Sequence, residues 1–149
     1  MDIQLYNPFR TFDFSPQTCF LTGQDVHSEE EIFVFPEWIL DRYSLRGKTF
    51  KMLEGSSLQY QDMKMPCHSE AIKNAINPLE KEIETALTEG YEAVLKIPEE
   101  RLFQWMVKMF YGVLYQDISI EVRKSKAKGK EFELDGLLNE RLKKLHLLL

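Results

Sequence analysis

The chain has only two cysteines, Cys19 and Cys67, among its 149 residues. That is too few for the disulfide framework of a small secreted scaffold and too few for a zinc site built from four thiolates. No apolar run approaches the ~18 residues that a membrane span requires. Acidic and polar residues already stand within the first few positions, unlike a secretory leader. A cytoplasmic protein with no membrane contact is therefore expected. The sequence also lacks a phosphate-binding glycine loop, a nucleophile elbow, a dinucleotide fingerprint and a His-x-x-x-His pair, so an independent enzymatic mechanism has no residues to run on. Internal repeats are absent as well.

With 44% hydrophobic and 29% charged positions, the composition is that of one globular domain over residues 1–149, large enough to bury a continuous core. The net charge of −5 is uneven: residues 1–120 hold 11 Lys/Arg against 19 Asp/Glu, and residues 121–149 hold 8 against 5. A field of this overall sign does not favour a polyanion.

Along the chain, residues 1–18 mix aromatic and turn residues and are expected to form an irregular lead-in packed on the core. The segment "EIFVF" (31–35) is expected to form a strand, with Pro36 opening a short helix through "EWILDRY". Alternating segments around "EGSS" predict a β-hairpin over Lys48 to Met65. In "NPLEKEIETALTEGY", Asn77 is the expected N-cap and Pro78 the first turn, with the helix ending near Gly90. Leu102, Phe103, Met106, Met109, Phe110 and Val113 recur at helical spacing and are expected to face the core. A basic loop is expected over residues 123–130. The last amphipathic helix ends on Leu147, Leu148 and Leu149, which either pack on the body or meet another chain or a further C-terminal region.

The stretches "TCFLTGQDVHSEEEIFVFPEWIL" (18–40) and "KMPCHSEAIKNAINPLEKEIETAL" (64–87) carry a resemblance. Their order of cysteine turn, strand, "FPEWIL", hairpin, "MPC" and "NPLE" helix is similar to that of the HNH endonuclease family over roughly residues 18–90. The resemblance implies a ββα-metal core around a catalytic divalent ion, in many members with a structural zinc held by two Cys-x-x-Cys knuckles. It also implies departures. The Glu-His pair that would supply the general base falls on Ile32 and Phe33, and phenylalanine has no lone pair to accept a proton. The partner of Cys19 in its knuckle is Thr22. The second knuckle would pair Cys67 with position 70, followed by an asparagine, yet Glu70 and Ala71 stand there.

Two lost thiolates leave too little for tetrahedral zinc unless other ligands step in. A retained zinc would have to draw on Cys19, Cys67, His27 and His68, although adjacent Cys67 and His68 cannot easily both reach one ion. The preferred expectation is no cofactor, with Cys19 and Cys67 facing each other across an apolar core. An active alternative would place zinc or magnesium among His27, His68 or Glu70. The run Glu29, Glu30, Glu31 is expected to be a solvated edge, Glu80 and Glu84 an exposed helix face with Lys81, and Trp38 and Trp105 core residues. Arg123, Lys124, Lys126, Lys128 and Lys130 could grip phosphates only weakly and without sequence preference.

The expected fold is α+β, a ββα-metal-like core (18–90) followed by a helical extension (91–149). The expected function is a non-catalytic HNH-like scaffold for an unknown protein or nucleic acid. Two alternatives stand beside it: a metal-dependent endonuclease, and an interaction module docking through the C-terminal helix.

Overall fold

The computed structural model of the chain describes residues 14–27, 29–53, 55–129 and 136–149, with backbone alone at 136–139 and 142. Strand β1 (Glu31–Phe33) pairs antiparallel with β4 (Lys64–Pro66), setting Ile32 opposite Met65. Between them lie helix α1 (Glu37–Arg42) and a separate antiparallel pair, β2 (Thr49–Lys51) with β3 (Ser57–Gln59). Helix then dominates. A short α2 (Ser69–Ala71) passes through a π-helical stretch (Ile72–Ile76) into α3 (Asn77–Glu89), followed by α4 (Tyr91–Leu95), α5 (Glu99–Ala127) and α6 (Gly136–Leu147). The architecture is α+β. Among the described residues, no helix is long and apolar enough to cross a membrane.

Two of the expected elements are redrawn. The hairpin does not run to Met65: a 3-10 turn at Tyr60–Asp62 ends it and sends residues 64–66 to β1 instead. The cause is packing. The Tyr60 ring sits edge-on to Phe35 and Phe50, at 5.1 and 5.7 Å between centroids, while Met63 and Met65 are fully buried beside β1. Nor is Asn77 an N-cap. It has helical dihedrals (φ −61°, ψ −43°) inside a run that begins at Ser69, where His68 is the cap. Pro78 has no amide to donate and would crowd the preceding turn of a regular α-helix; the wider π-helical turn ahead of it relieves that conflict. The C-terminal boundary falls where expected, at Gly90, whose φ of 116° is closed to most side chains.

One apolar cluster joins both parts of the chain: Cys19, Phe20, Val34, Met63, Met65 and Cys67 pack with Tyr111, Tyr115, Ile118 and Val122 of α5. The buried stripe of α5 is therefore Val107, Tyr111, Tyr115, Ile118 and Val122, and the expected stripe is out of phase with it. Phe103, Met106 and Phe110 are 52%, 55% and 57% exposed. Polar residues concealed the true inner face. Lys108, Gln116 and Ser119 lie buried on it because each has a partner there: Glu80, the Lys64 carbonyl and the Gln116 carbonyl.

Residues 123–127 are the last turns of α5, not a loop, and Lys130 lies outside the described residues. Lysines in that last turn suit the negative end of the helix dipole, as Glu99 and Glu100 suit the positive end. The C-terminal leucines divide: Leu149 packs against the core with Leu145, whereas Leu147 and Leu148 are exposed. Of the expected lead-in, residues 1–13 lie outside the described residues, and Phe14 packs edge-on to Tyr115.

Candidate functional site

The cysteine turn is built by main-chain bonds. Cys19 N–H donates to the Gln24 carbonyl (2.8 Å) and Gly23 N–H to the Cys19 carbonyl (3.0 Å), with Gly23 at φ 76°. Phe20 N–H donates to the Pro66 carbonyl at 2.9 Å, which lays the turn along β4, and Cys67 N–H donates to the Glu30 carbonyl at 2.9 Å. Both cysteines are free and fully buried in the same apolar cluster, on segments joined by the Phe20–Pro66 bond. Thr22 stands on the same turn, its hydroxyl donating to the Gln24 side chain at 3.3 Å.

The two thiols are shifted in opposite directions. The hydrogen bond from Cys67 is the largest influence on Cys19 and, with those from Thr22 and His68, holds it well below the ordinary thiol value against the opposing effect of burial. Cys67 is pushed up, first by that same hydrogen bond and then by burial.

The donor set does not suit zinc. Thr22, at the position of the missing knuckle cysteine, donates its hydroxyl proton to the Gln24 side-chain carbonyl and so faces away from a metal role. His68 uses Nδ1 to cap α2 by accepting from the Glu70 amide at 3.3 Å. His27 is exposed, and its amide donates to the Glu30 carboxylate at 3.0 Å. Among the described residues, no three His, Cys, Asp or Glu side chains come together as a metal-binding group, so Cys19, Cys67, His27 and His68 do not converge. Sequence reasoning overlooked a fourth neighbour, His146 of α6. It is buried over the turn with Nε2 3.1 Å from the Phe20 carbonyl, and burial lowers its pKa. A histidine in "KKLHLLL" gives no such signal.

Glu30 is more than part of a solvated edge. Its carboxylate accepts from the His27 amide at 3.0 Å and from the Ser69 amide at 2.9 Å, tying the approach to β1 to the start of α2. Those bonds, the His27 amide first, lower its pKa from 4.5 to about 2. The stabilisation is fully present above the unfolded value and is lost as pH falls through about 2. Thermal melts from neutral pH down to that value should show Glu30→Gln less stable at neutral pH and declining less steeply on acidification than the wild type.

A cleft of about 390 Å³ lies between β1 and α3, lined by Ile32, Phe33, Trp38, Asn77, Glu80, Glu84 and Lys108 among others. Phe33, where the HNH resemblance would put the general base, carries the Lys64 ammonium 5.0 Å from its ring centroid; Lys64 also pairs with Glu31 at 3.2 Å. Behind the cleft, Glu80 is the hub of a polar cluster. One oxygen accepts from both indoles, Trp38 at 3.2 Å and Trp105 at 2.9 Å, and the other pairs with Lys108. The two indole rings stack at 5.8 Å. The expectation of an exposed Glu80 beside Lys81 is thus corrected, since only Glu84 of the pair is exposed. Trp38 and Trp105 are half-buried at the rim of the core.

The basic residues lie at the C-terminal end of α5. Arg123 bonds back to Ser119, at 3.2 Å to its carbonyl and 3.1 Å to its hydroxyl. Lys124, Lys126 and Lys128 are exposed; at ~100° per helical residue, Lys124 and Lys128 fall on one side and Lys126 on the other. Comparison with protein-family models, with curated proteins and with solved structures finds no match to this chain.

Proposed function

We propose that the chain is a non-catalytic HNH-like domain that serves as a binding scaffold. The observation that carries this reading is Phe33 in the cleft between β1 and α3, at the position where the family resemblance calls for a histidine base. Phenylalanine can neither take a proton from water nor bind a metal. The order of β1, β4 and the helix from Ser69 onward supports the ββα relationship, and so does the Cys19–Gln24 turn opposite Cys67.

A polypeptide suits the scaffold better than DNA. From Leu102 to Gln116 the only charged residue of α5 is the buried Lys108, so the exposed Phe103, Met106 and Phe110 form an uncharged stripe on an acidic protein. The few lysines at the far end of α5, on a chain of net charge −5, offer nucleic acid only a salt-sensitive contact.

The test is incubation of the purified chain with supercoiled plasmid in magnesium, manganese or zinc, with a mobility-shift measurement alongside. The expected result is no nicking and no shift at physiological salt. Nicking that copurifies with the protein and disappears in His68→Ala or Glu84→Ala would replace the scaffold with an unconventional nuclease.

A further inference from the structure

We infer that Cys19 and Cys67 form a reversible intramolecular disulfide, an oxidation site in which hydrogen peroxide is the oxidant. The inference stands apart from the scaffold reading, because it concerns the cysteine pair and neither the cleft nor the α5 stripe.

The geometry carries it. Cys19 and Cys67 are both fully buried in one apolar cluster, each next in sequence to a residue of the Phe20–Pro66 main-chain bond. The main chain holds them there from both sides, through Phe20 N–H to the Pro66 carbonyl and Cys67 N–H to the Glu30 carbonyl, each at 2.9 Å. Their roles are unequal. The lowered pKa of Cys19 makes it the nucleophile, and the raised pKa of Cys67 makes it the resolving thiol. Both side chains are fully buried, so the oxidant must be small and uncharged. That favours a hydroperoxide over a peptide disulfide such as oxidised glutathione.

The chemistry balances. The Cys19 thiolate attacks one peroxide oxygen, the O–O bond breaks, and the departing hydroxide takes the Cys67 proton to leave as water. Cys19 is then a sulfenic acid. The Cys67 thiolate attacks its sulfur, the S–O bond breaks, and the second hydroxide leaves as water with a proton from solvent. Two thiols are oxidised and one peroxide is reduced. The bond closes a loop from residue 19 to residue 67, and constraining the unfolded chain to that extent should raise the Tm by about 10 °C.

The experiment treats the reduced, full-length chain with hydrogen peroxide and follows intact mass, thiol count after denaturation, and Tm. The expected result is a loss of two hydrogens from the monomer, joint disappearance of both thiols, a higher Tm, and full reversal by dithiothreitol. Oxidised glutathione should react far more slowly. In Cys67→Ser the reaction should stop at a Cys19 sulfenic acid, read as the gain of one oxygen in the intact mass. If that variant does not fold, the mass and thiol count of the wild type still decide. Oxygen addition at one cysteine with the other left free, disulfide-linked dimers, thiols that survive peroxide, or a stoichiometric zinc held by the purified protein would each overturn the inference.

Discussion

Glu80→Ala lowers the unfolding free energy by about 3–5 kcal/mol at neutral pH, the range expected when one partner of a buried ion pair is removed. Lys108 is only 2% exposed and Glu80 12%, so neither charge can turn to water. Removing the carboxylate strands the ammonium and also takes the acceptor from two indole N–H groups, Trp38 and Trp105. The measurement is urea denaturation of Glu80→Ala, Lys108→Met and the double variant Glu80→Leu/Lys108→Met. The double variant should recover much of the loss, since apolar side chains of similar volume need no partner. Strict additivity of the two single losses would refute the coupling.

The same pair has a pH signature. Burial pushes the Lys108 pKa below its ordinary 10.5, and Glu80 opposes that push. Without Glu80 the folded-state value falls further, so over a wider window the folded protein binds fewer protons than the unfolded one, and stability rises with pH there. The deficit of Glu80→Ala should therefore shrink as pH rises toward 10.5. A deficit independent of pH would mean that the indoles, and not the ammonium, account for the loss.

Gly112→Val should cost about 3 kcal/mol, at the upper end of overpacking effects. A Cβ at position 112 would lie 2.7 and 2.8 Å from the two methyls of Val34 and 3.2 Å from the Met65 terminal carbon. Val34 is fully buried and β-branched, so it has little rotameric freedom to move aside. Gly112→Ala should lose less, about 1–2 kcal/mol, because alanine returns about 1 kcal/mol of helix propensity. Val34→Ala alone should cost about 2 kcal/mol by leaving a cavity. The combination Gly112→Ala/Val34→Ala should be more stable than the sum of its parts, since one change fills the space the other vacates. Chemical denaturation of the four proteins reads this directly.

That glycine explains why the sequence misplaced the inner face of α5. From 102 to 114 the helix is apolar nearly all round, so periodicity offers two stripes and no means of choosing. The one facing inward carries a lysine, a glutamine and a glycine, residues that hydropathy assigns to the outside. Only the neighbours reverse the assignment: Glu80 for Lys108, the Lys64 carbonyl for Gln116, and Val34 for the bare Cα of Gly112. The misread Asn77 is a similar case. An Asn-Pro pair signals a helix start locally, and it took the π-helical turn ahead of Pro78 to carry helix through it.

The sequence by itself determined the α+β class, a strand beginning at Glu31 within the expected 31–35, and the end of α3 at Gly90, because residue propensity and glycine geometry act over short range. Tertiary structure decided which strand pairs with β1, which face of α5 is buried, and that Glu80, Lys108 and His146 lie inside. A buried charge or imidazole looks in sequence like a solvated one. Its place is fixed by the partner that compensates its desolvation, and Glu80 and Lys108 find each other across 28 residues.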